Sequence, residues 1–362
     1  MFGGVLLMRK LFSILMIVCL LCGMSACSGD KEEEEATEGE ENQVITISVA
    51  VPGSADDNLY KLLETFKSEV EANTDNALSV TLTTVSELGI EGSEYDSVLD
   101  PEVAVDIVFL PREKVQEKSI WLAMFDAWFM FLNYDHYRTT FDDKAGDIMF
   151  ENIRTDQNLQ ILGTLYEDMK VFNVRSEASL YTIADFDTLD LGVSPKESSV
   201  LEGRTLGANP IVIVENSINR YLADQTINAY DAFFKEIREK NFYEFTNSIV
   251  LSDHLVDFSF IAMNLDKWAL LSSDQKDVIN AAIVNVENAY DTATLAEIDE
   301  YKTFYLGYGL NLQKLNKVEF HEAFSDLYRG NVELTNDWNI EYYERILKIA
   351  RKMINDSDGI IE

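Results

Sequence analysis

The chain has few cysteines, few histidines and few basic residues, and each shortage excludes a class of protein. All three cysteines lie within the first 27 residues, so the rest of the chain cannot be a disulfide scaffold and must depend on a hydrophobic core. Lysine and arginine number 29 against 64 aspartates and glutamates, which gives a formal net charge of −35. Nucleic acid is therefore not expected as a partner, because binding it requires basic surface that displaces counterions.

Patterns that would indicate catalysis or metal binding are also missing from the sequence. The three histidines, His136, His254 and His321, are far apart, and we interpret them as structural residues. Beyond residue 27 there is no glycine-rich phosphate loop, G-x-S-x-G, H-E-x-x-H or C-x-x-C pattern. We therefore predict no catalytic residue, no metal and no cofactor, and a hydrolase is the least favoured function.

The N-terminal segment has the pattern of a secretion signal. Arg9 and Lys10 precede a mostly apolar run of 14 residues, 11–24, whereas a membrane-spanning helix needs about 20. The following M-S-A-C sequence, which ends at Cys27, resembles the bacterial lipobox, in which the cysteine is acylated. We predict that residues 1–27 are a lipoprotein signal peptide and that a lipid on Cys27 anchors the protein outside the cell; the alternative is an ordinary cleaved signal.

An acidic segment separates this signal from the folded part of the chain. Residues 28–43 contain eight acidic residues and one lysine. Low hydrophobicity and repulsion between like charges keep such a segment extended. We predict a disordered tether here, and the chain that remains is long enough to form two lobes.

The folded part begins with the alternation of strands and helices that is typical of an α/β protein. Residues 44–51 alternate as a strand does, and Leu59, Leu63, Phe66 and Val70 recur at helical spacing. A strand, a helix and a strand in this order favour a largely parallel sheet. The predicted strands after the first are 77–82, 103–110, 158–166, 189–193, 211–214, 241–251 and 256–263.

One predicted helix is unusually long. Ser272 and Gln275 form a capping-box pattern, no glycine or proline occurs from there until Gly307, and Gly307 and Gly309 are predicted to end the run. A coiled coil, two helices with an unmarked break, and one helix that bridges two lobes all fit such a run. Because sustained heptads are absent, the bridging helix is favoured.

Three segments resemble the solute-binding proteins of tripartite ATP-independent periplasmic (TRAP) transporters. Residues 206–210 read L-G-A-N-P, a stretch that family members typically carry. Residues 242–271 contain F-Y-E, a histidine and the start of the long helix at the family's spacing. Residues 125–131 are similar to a third family segment, with Trp128 where proline is usual. The resemblance keeps order and spacing over most of residues 44–330.

The resemblance implies a two-lobed α/β fold of the periplasmic-binding-protein type, with crossing strands and a long helix that spans both lobes. Lobe I would comprise residues 44–169, with 257–297 returning to it. Lobe II would comprise residues 170–256, with 298–355 returning to it. A small molecule would bind in the cleft between the lobes, which would close on it like a clamshell.

The resemblance also implies where the ligand binds. Relatives usually carry an arginine that pairs with a substrate carboxylate at the position of Gly192, and Lys170 lies near a second family arginine. Loss of the arginine indicates a ligand other than a simple organic acid, either neutral and polar or cationic. Alternatively, Lys170 or Arg204 replaces the lost contact. The predicted ligand-binding residues are Trp128, Lys170, Gly192, Glu215, Asn228 and Phe258.

Two of these residues also have ordinary structural interpretations. Trp128 lies in an aromatic run and would then belong to the core, and Glu215 would then be an acid at a helix N-terminus. The sequence favours a solute-binding lipoprotein that passes its ligand to membrane transporter subunits. The alternative is a surface interaction or sensory lipoprotein that kept the fold and lost transport.

Overall fold

A computed structural model describes residues 44–357, apart from residue 177, and for Glu215 it describes the backbone only. The predictions for residues 1–27 and 28–43, and for the lipid on Cys27, lie outside the described residues. The strands are β1 (Ile45–Val51), β2 (Leu78–Thr84), β3 (Ile107–Pro111), β4 (Leu159–Met169), β5 (Val171–Val174), β6 (Asp190–Val193), β7 (Asn209–Val212), β8 (Ala229–Ala232), β9 (Ser248–Leu251), β10 (Val256–Asn264) and β11 (Asn311–Lys314).

Helices connect most of these strands. They are α1 (Asn58–Asn73), α2 (Val85–Leu88), α3 (Glu94–Leu99), α4 (Arg112–Gln116), α5 (Tyr134–Asp142), α6 (Lys144–Gln157), α7 (Glu197–Thr205), α8 (Ile218–Ala223), α9 (Phe234–Glu239), α10 (Leu265–Ala269), α11 (Ser273–Tyr308), α12 (Lys317–Gly330), α13 (Val332–Thr335) and α14 (Ile340–Asp356).

The strands form two sheets, which confirms the α/β class. The first sheet has the order β2-β1-β3-β10-β4, and the second has the order β11-β9-β5-β8-β6-β7. In the first sheet, β1 pairs in parallel with β2 and β3, whereas β10 is antiparallel to both β3 and β4. The predicted strand–helix–strand unit is therefore present as β1, α1 and β2. Within it, α1 buries Leu59, Leu63, Phe66 and Val70.

The chain crosses between the sheets at two neighbouring points. It leaves β4 for β5 at Lys170, and it returns from β9 to β10 through residues 252–255. The two crossings are hydrogen-bonded to each other, because the amide of Lys170 donates to the carbonyl of Leu255 at 2.9 Å and the amide of His254 donates to the carbonyl of Lys170 at 3.2 Å. These paired crossings are the crossing strands that the resemblance implies.

The long helix is continuous, as predicted. Helix α11 has 36 residues, and the Ser272 side chain accepts from the Gln275 amide while the Gln275 side chain accepts from the Ser272 amide. It ends at Gly309, whose φ of 105° suits glycine. It contacts α1 and β4 on the side of the first sheet, and α9 and β11 on the side of the second. Within the described residues no helix, α11 included, is long and apolar enough to cross a membrane.

Two strand predictions were too long, and three short strands were not predicted. The predicted strand 103–110 begins only at Ile107. The predicted strand 241–251 begins only at Ser248, because Asn241 has a φ of 57° and starts a single 3₁₀ turn over Phe242–Glu244. The unpredicted strands β5, β8 and β11 have four residues each, too few for alternation to be distinguished from chance.

The C-terminal helix α14 packs against α5 and α6. The ring of His136 in α5 lies 3.1 Å from the carbonyl oxygen of Ile346 in α14, and Trp121 meets Tyr342 edge to face. The last helix therefore lies beside elements that precede the first crossing. The exact lobe boundaries stay a prediction.

Candidate functional site

A cavity of about 880 Å³ receives its walls from both sheets. Arg112 follows β3 and Asp257 lies in β10 of the first sheet, whereas Val193 ends β6 and Asp231 lies in β8 of the second. Further lining residues come from α4 and residues 117–128, from α7, and from the end of α12 with the segment that follows it. Its volume lies within the range of small-molecule sites.

Arg112 is held in the cavity wall by three carboxylates. Its side chain is 7% exposed, and Nη1 donates to Oδ1 of Asp126 at 2.7 Å. Nη2 lies 3.1 Å from Oε1 of Glu113, and Nε lies 3.8 Å from Oδ1 of Asp257. Burial acts to raise the pKa of Asp126, but the Arg112 charge and the hydrogen bonds lower it overall. Burial and Glu113 raise the pKa of Asp257.

Lys170 and Asp231 form a second ion pair in the wall. The Nζ–Oδ2 distance is 3.0 Å, and the side chains are 21% and 11% exposed. Nε2 of His254 lies 3.5 Å from the same Asp231 oxygen. Burial acts to raise the pKa of Asp231, but Lys170 and His254 lower it well below its ordinary value. The pair is therefore charged at neutral pH.

Glu202 is a buried carboxylate of the lining, and no cation of the described residues pairs with it. The residue is 3% exposed, and its Oε1 accepts from the hydroxyl of Tyr328 at 2.6 Å and from the amide of Trp128 at 3.2 Å. Both bonds go to one oxygen, and no described residue donates to Oε2. Burial raises the pKa of Glu202 to about 7, although the two hydrogen bonds oppose this shift.

Aromatic side chains make up much of the remaining wall. Lys170 Nζ already lies 5.5 Å from the ring centroid of Phe233, so one ring face is occupied by a cation. Trp128 is 6% exposed and meets the ring of His254 edge to face, with 4.8 Å between centroids. The aromatic residues of the lining are Trp128, Tyr230, Phe233, Tyr328 and Trp338.

The structure brings two of the predicted ligand-binding residues together at the cavity. Trp128 and Lys170 both line it. Trp128 nevertheless has most of its surface buried against Phe172 and Phe324, so it serves the core as well as the wall. Lys170 reaches the lining with its charge already paired by Asp231.

Gly192 lies beside the cavity and is not part of its lining. It is buried in β6, and a Cβ atom built on it would come within 2.8 Å of the Cδ1 atoms of Ile213 and Ile227. A ring atom of Tyr230 would be 3.3 Å away. Ile213 and Tyr230 themselves line the cavity, so apolar groups fill the space that a side chain at Gly192 would enter.

Two of the other predicted residues lie elsewhere, and the structure does not describe the side chain of the third. The Asn228 side chain accepts from the Asp190 amide at 2.8 Å and donates to the Thr188 carbonyl at 3.2 Å, which joins two strand ends outside the lining. Phe258 is fully buried in an aromatic cluster. Glu215 begins a 3₁₀ turn, and its side chain lies outside the described part of the chain.

The carboxylates and the arginine that dominate the cavity were not predicted from the sequence. Arg112 directly follows the strand that ends at Pro111, and the ends of parallel strands are where ligands bind in α/β folds, so that signal was present. Asp257 lay in a predicted strand whose other residues are mostly apolar. Asp231 lies in a four-residue strand that was not predicted, and Glu202 lies in α7 without a local pattern that would mark it.

Comparison with known proteins places this fold and cavity in a family. The model of bacterial extracellular solute-binding protein, family 7, matches residues 49–333. The chain belongs to this family. As TRAP solute-binding proteins, its members are components of transport and not enzymes, which confirms the resemblance predicted from the sequence.

This chain can be aligned with relatives in the family over almost the whole length of those relatives. The sialic acid-binding periplasmic protein SiaP of Vibrio cholerae is 21% identical over 296 residues, which cover 79% of this chain and 92% of that protein. A TRAP periplasmic solute-binding protein from Ochrobactrum anthropi, with its C-terminus in the ligand-binding pocket, has a TM-score of 0.72 at 15% identity, covering 87% and 98% of the two chains.

A third relative has a bound ligand. It is a TRAP periplasmic solute-binding protein from Roseobacter denitrificans with 3-deoxy-D-manno-oct-2-ulosonic acid, and it has a TM-score of 0.60 at 20% identity, covering 84% and 99% of the two chains. These similarities confirm the two-lobed fold. As a family 7 protein, the chain binds a small molecule outside the cytoplasm and works with membrane transporter subunits.

One group in this family 7 protein superficially resembles a catalytic triad. The Ser252 hydroxyl lies 2.8 Å from Nδ1 of His254, whose Nε2 faces Asp231. Ser252 and His254 are each 1% exposed, so no substrate reaches the hydroxyl. His254 also stacks on Phe172 with 4.1 Å between centroids. The group supports Asp231 from behind the wall, which agrees with the structural role predicted for His254.

Proposed function

We propose that this chain is a lipid-anchored receptor of a TRAP-type uptake system and that its ligand is not a simple organic acid. The observation that carries the second part is the state of the buried cations in the cavity. Arg112 already faces three side-chain carboxylates, and Lys170 faces Asp231 at 3.0 Å. A ligand carboxylate would have to compete with these partners.

The environment of Gly192 supports the same proposal. The resemblance aligns this residue with the arginine that clamps a carboxylate in relatives. Here Ile213 and Ile227 fill the space around it, and a Cβ atom would meet both at 2.8 Å. A bidentate arginine contact is therefore replaced by apolar packing, which offers nothing to an anion.

The two residues that could replace the arginine do not favour an acid. Lys170 is neutralised by Asp231, and Arg204 is exposed on α7 and does not line the cavity. Lys196 lines the cavity and is exposed, and it would be the contact for an acid if one bound. The proposal assigns Trp128 and Lys170 to the wall that surrounds the ligand.

A thermal-shift screen of the purified protein tests the ligand class. Sugars, amino acids, amines and small organic acids are compared at equal concentration, since a ligand that binds only the folded state raises the unfolding temperature. We expect the stabilising compounds to lie outside the simple acids. Strong stabilisation by small carboxylates alone would overturn this part of the proposal.

The lipid anchor is tested separately. We propose that Cys27 is acylated, that the acidic residues 28–43 form the tether, and that lobes with the boundaries given above close on the ligand. In cells, a Cys27→Ser variant is expected to leave the membrane fraction, whereas Cys22→Ser is the matched control that stays. A Cys27→Ser variant that remains membrane-bound would contradict the anchor and leave the receptor function untouched.

A further inference from the structure

The lining of the cavity contains more carboxylates than cations. The carboxylates are Glu113, Glu117, Asp126, Glu202, Asp231 and Asp257, and the cations are Arg112, Lys170 and Lys196. If Arg112 is paired with Asp126, Lys170 with Asp231, and Glu117 with Lys114 outside the lining at 3.6 Å, then Glu113, Glu202 and Asp257 remain against Lys196. A net negative charge is therefore left on the wall of the cavity.

We infer that this cavity binds an organic ammonium ion, with Glu202 and Asp257 as its carboxylate partners and the aromatic wall as its apolar lining. The inference rests on the proposed receptor function and names the ligand class for the same site. No described residue donates to Oε2 of Glu202. Asp257 accepts from the Phe258 amide at 3.0 Å, Nε of Arg112 lies 3.8 Å away without a hydrogen bond, and the Lys170 charge also acts on it. Both therefore have acceptor capacity left for a ligand.

When the cleft closes on a ligand, the excess of negative charge on its wall loses contact with water and becomes energetically costly. A neutral ligand would leave the carboxylates dehydrated and uncompensated, and an anion would add to their repulsion. The ammonium group of a ligand would neutralise the carboxylates. The carbon atoms of the ligand would contact aromatic residues of the lining such as Tyr230 and Trp338. A metal ion is a poorer occupant, because among the described residues no three acidic, His or Cys side chains converge as a metal site requires.

Binding by matched analogues tests the inference on the purified full-length protein. Two sets of similar size and shape are measured by calorimetry: cadaverine, 1,5-pentanediol and glutarate, and choline, 3,3-dimethylbutanol and 3,3-dimethylbutanoate. In at least one set, we expect the ammonium compound to bind at least tenfold more tightly than the matching alcohol and acid. Its affinity should fall when salt is added.

Variants and pH provide a second measurement. Glu202→Gln and Asp257→Asn are each expected to weaken the ammonium ligand about tenfold, whereas Asp277→Asn, on the exposed face of α11 outside the lining, leaves affinity unchanged. Because the pKa of Glu202 is raised to about 7, the ligand must displace its proton at low pH. Affinity should therefore be about tenfold weaker at pH 6 than at pH 8, with proton release on binding.

The outcomes separate this inference from the receptor function. If an alcohol or an acid binds as well as its ammonium analogue, or if no ammonium compound binds, the charge inference is wrong. If other solutes such as sugars then stabilise the protein, the receptor function stands. If no solute of any class binds, the receptor function fails as well.

Discussion

The ammonium of Lys170 lies 3.0 Å from Oδ2 of Asp231, and this pair joins the point where the chain leaves the first sheet to a central strand of the second. The two residues are 61 positions apart in the sequence. Each compensates the buried charge of the other, so neither can be removed alone without leaving a charge in the wall. The pair connects the structure of the crossing to the electrostatics of the cavity.

Removal of the lysine charge should destabilise the fold. Lys170→Met keeps most of the side-chain length and leaves Asp231 without its main partner. We expect a loss of about 2 kcal/mol in the free energy of unfolding, below the value for a fully buried pair because both side chains retain some exposure. Urea unfolding measures the change.

Two variants control this prediction. Lys170→Met combined with Asp231→Asn should recover much of the loss, because no unpaired charge remains. Lys67→Met breaks the exposed pair of Lys67 with Glu71, at 3.8 Å, and should cost less than about 0.5 kcal/mol. A double variant whose loss is the sum of the two single losses would contradict the coupling.

A methyl group at Gly192 should disturb the packing beside the cavity. In Gly192→Ala the new Cβ would lie 2.8 Å from the Cδ1 atoms of Ile213 and Ile227, so both isoleucines must move. We expect a loss of about 1–3 kcal/mol, as for other overpacked cores. Thermal or urea unfolding measures it.

Gly307 provides a matched control for the same chemical change. It lies inside α11, and a Cβ there would meet nothing within 4 Å. Gly307→Ala should therefore raise stability by about 0.5–1 kcal/mol, because alanine restricts the unfolded chain and favours the helix. Equal effects of the two substitutions would disprove the packing argument.

Asp168 should make stability depend on pH. Its carboxylate accepts from the amides of Met169 and Phe234 at 2.7 and 3.1 Å, and burial raises its pKa to about 7 against the action of these bonds. The folded state then binds a proton more tightly than the unfolded state. The contribution of Asp168 to stability is therefore complete below about pH 4 and is lost as the pH rises to about 7.

Urea unfolding between pH 4 and pH 8 checks this sign. The free energy of unfolding of the parent should fall as the pH rises. In Asp168→Asn this fall should be smaller by the contribution of one titrating carboxyl group. Asp185→Asn is the control: hydrogen bonds from Thr182 and Tyr181 lower the pKa of Asp185, so its titration lies below this range. A slope that Asp168→Asn leaves unchanged would refute the assignment.

Local patterns predicted a large part of the fold. The two ends of α11 could be predicted because capping by Ser272 and Gln275 depends on neighbours three residues apart, and Gly309 stops the helix through its own backbone. The burial of Leu59, Leu63 and Phe66 followed from their helical spacing alone. Longer strands such as β1 and β10 could likewise be predicted, because the pattern of their own residues indicates a strand.

The candidate site was predicted only in part. Trp128 and Lys170 line the cavity, whereas Asn228 bonds to neighbouring strand ends and Phe258 is buried in the core. Asp231 could not be found, because β8 has four residues and its position between β5 and β6 depends on the order of the sheet.

The sequence by itself determined the class of the fold, the two ends of the long helix and the shortage of basic residues, because each follows from composition or from residues close in the chain. Only the tertiary structure decided which carboxylates face the cavity and which cations they neutralise. Arg112 meets Asp257, and Lys170 meets Asp231, through strand order and two crossings. Charge pairing between distant segments depends on distance in space, which no local pattern records.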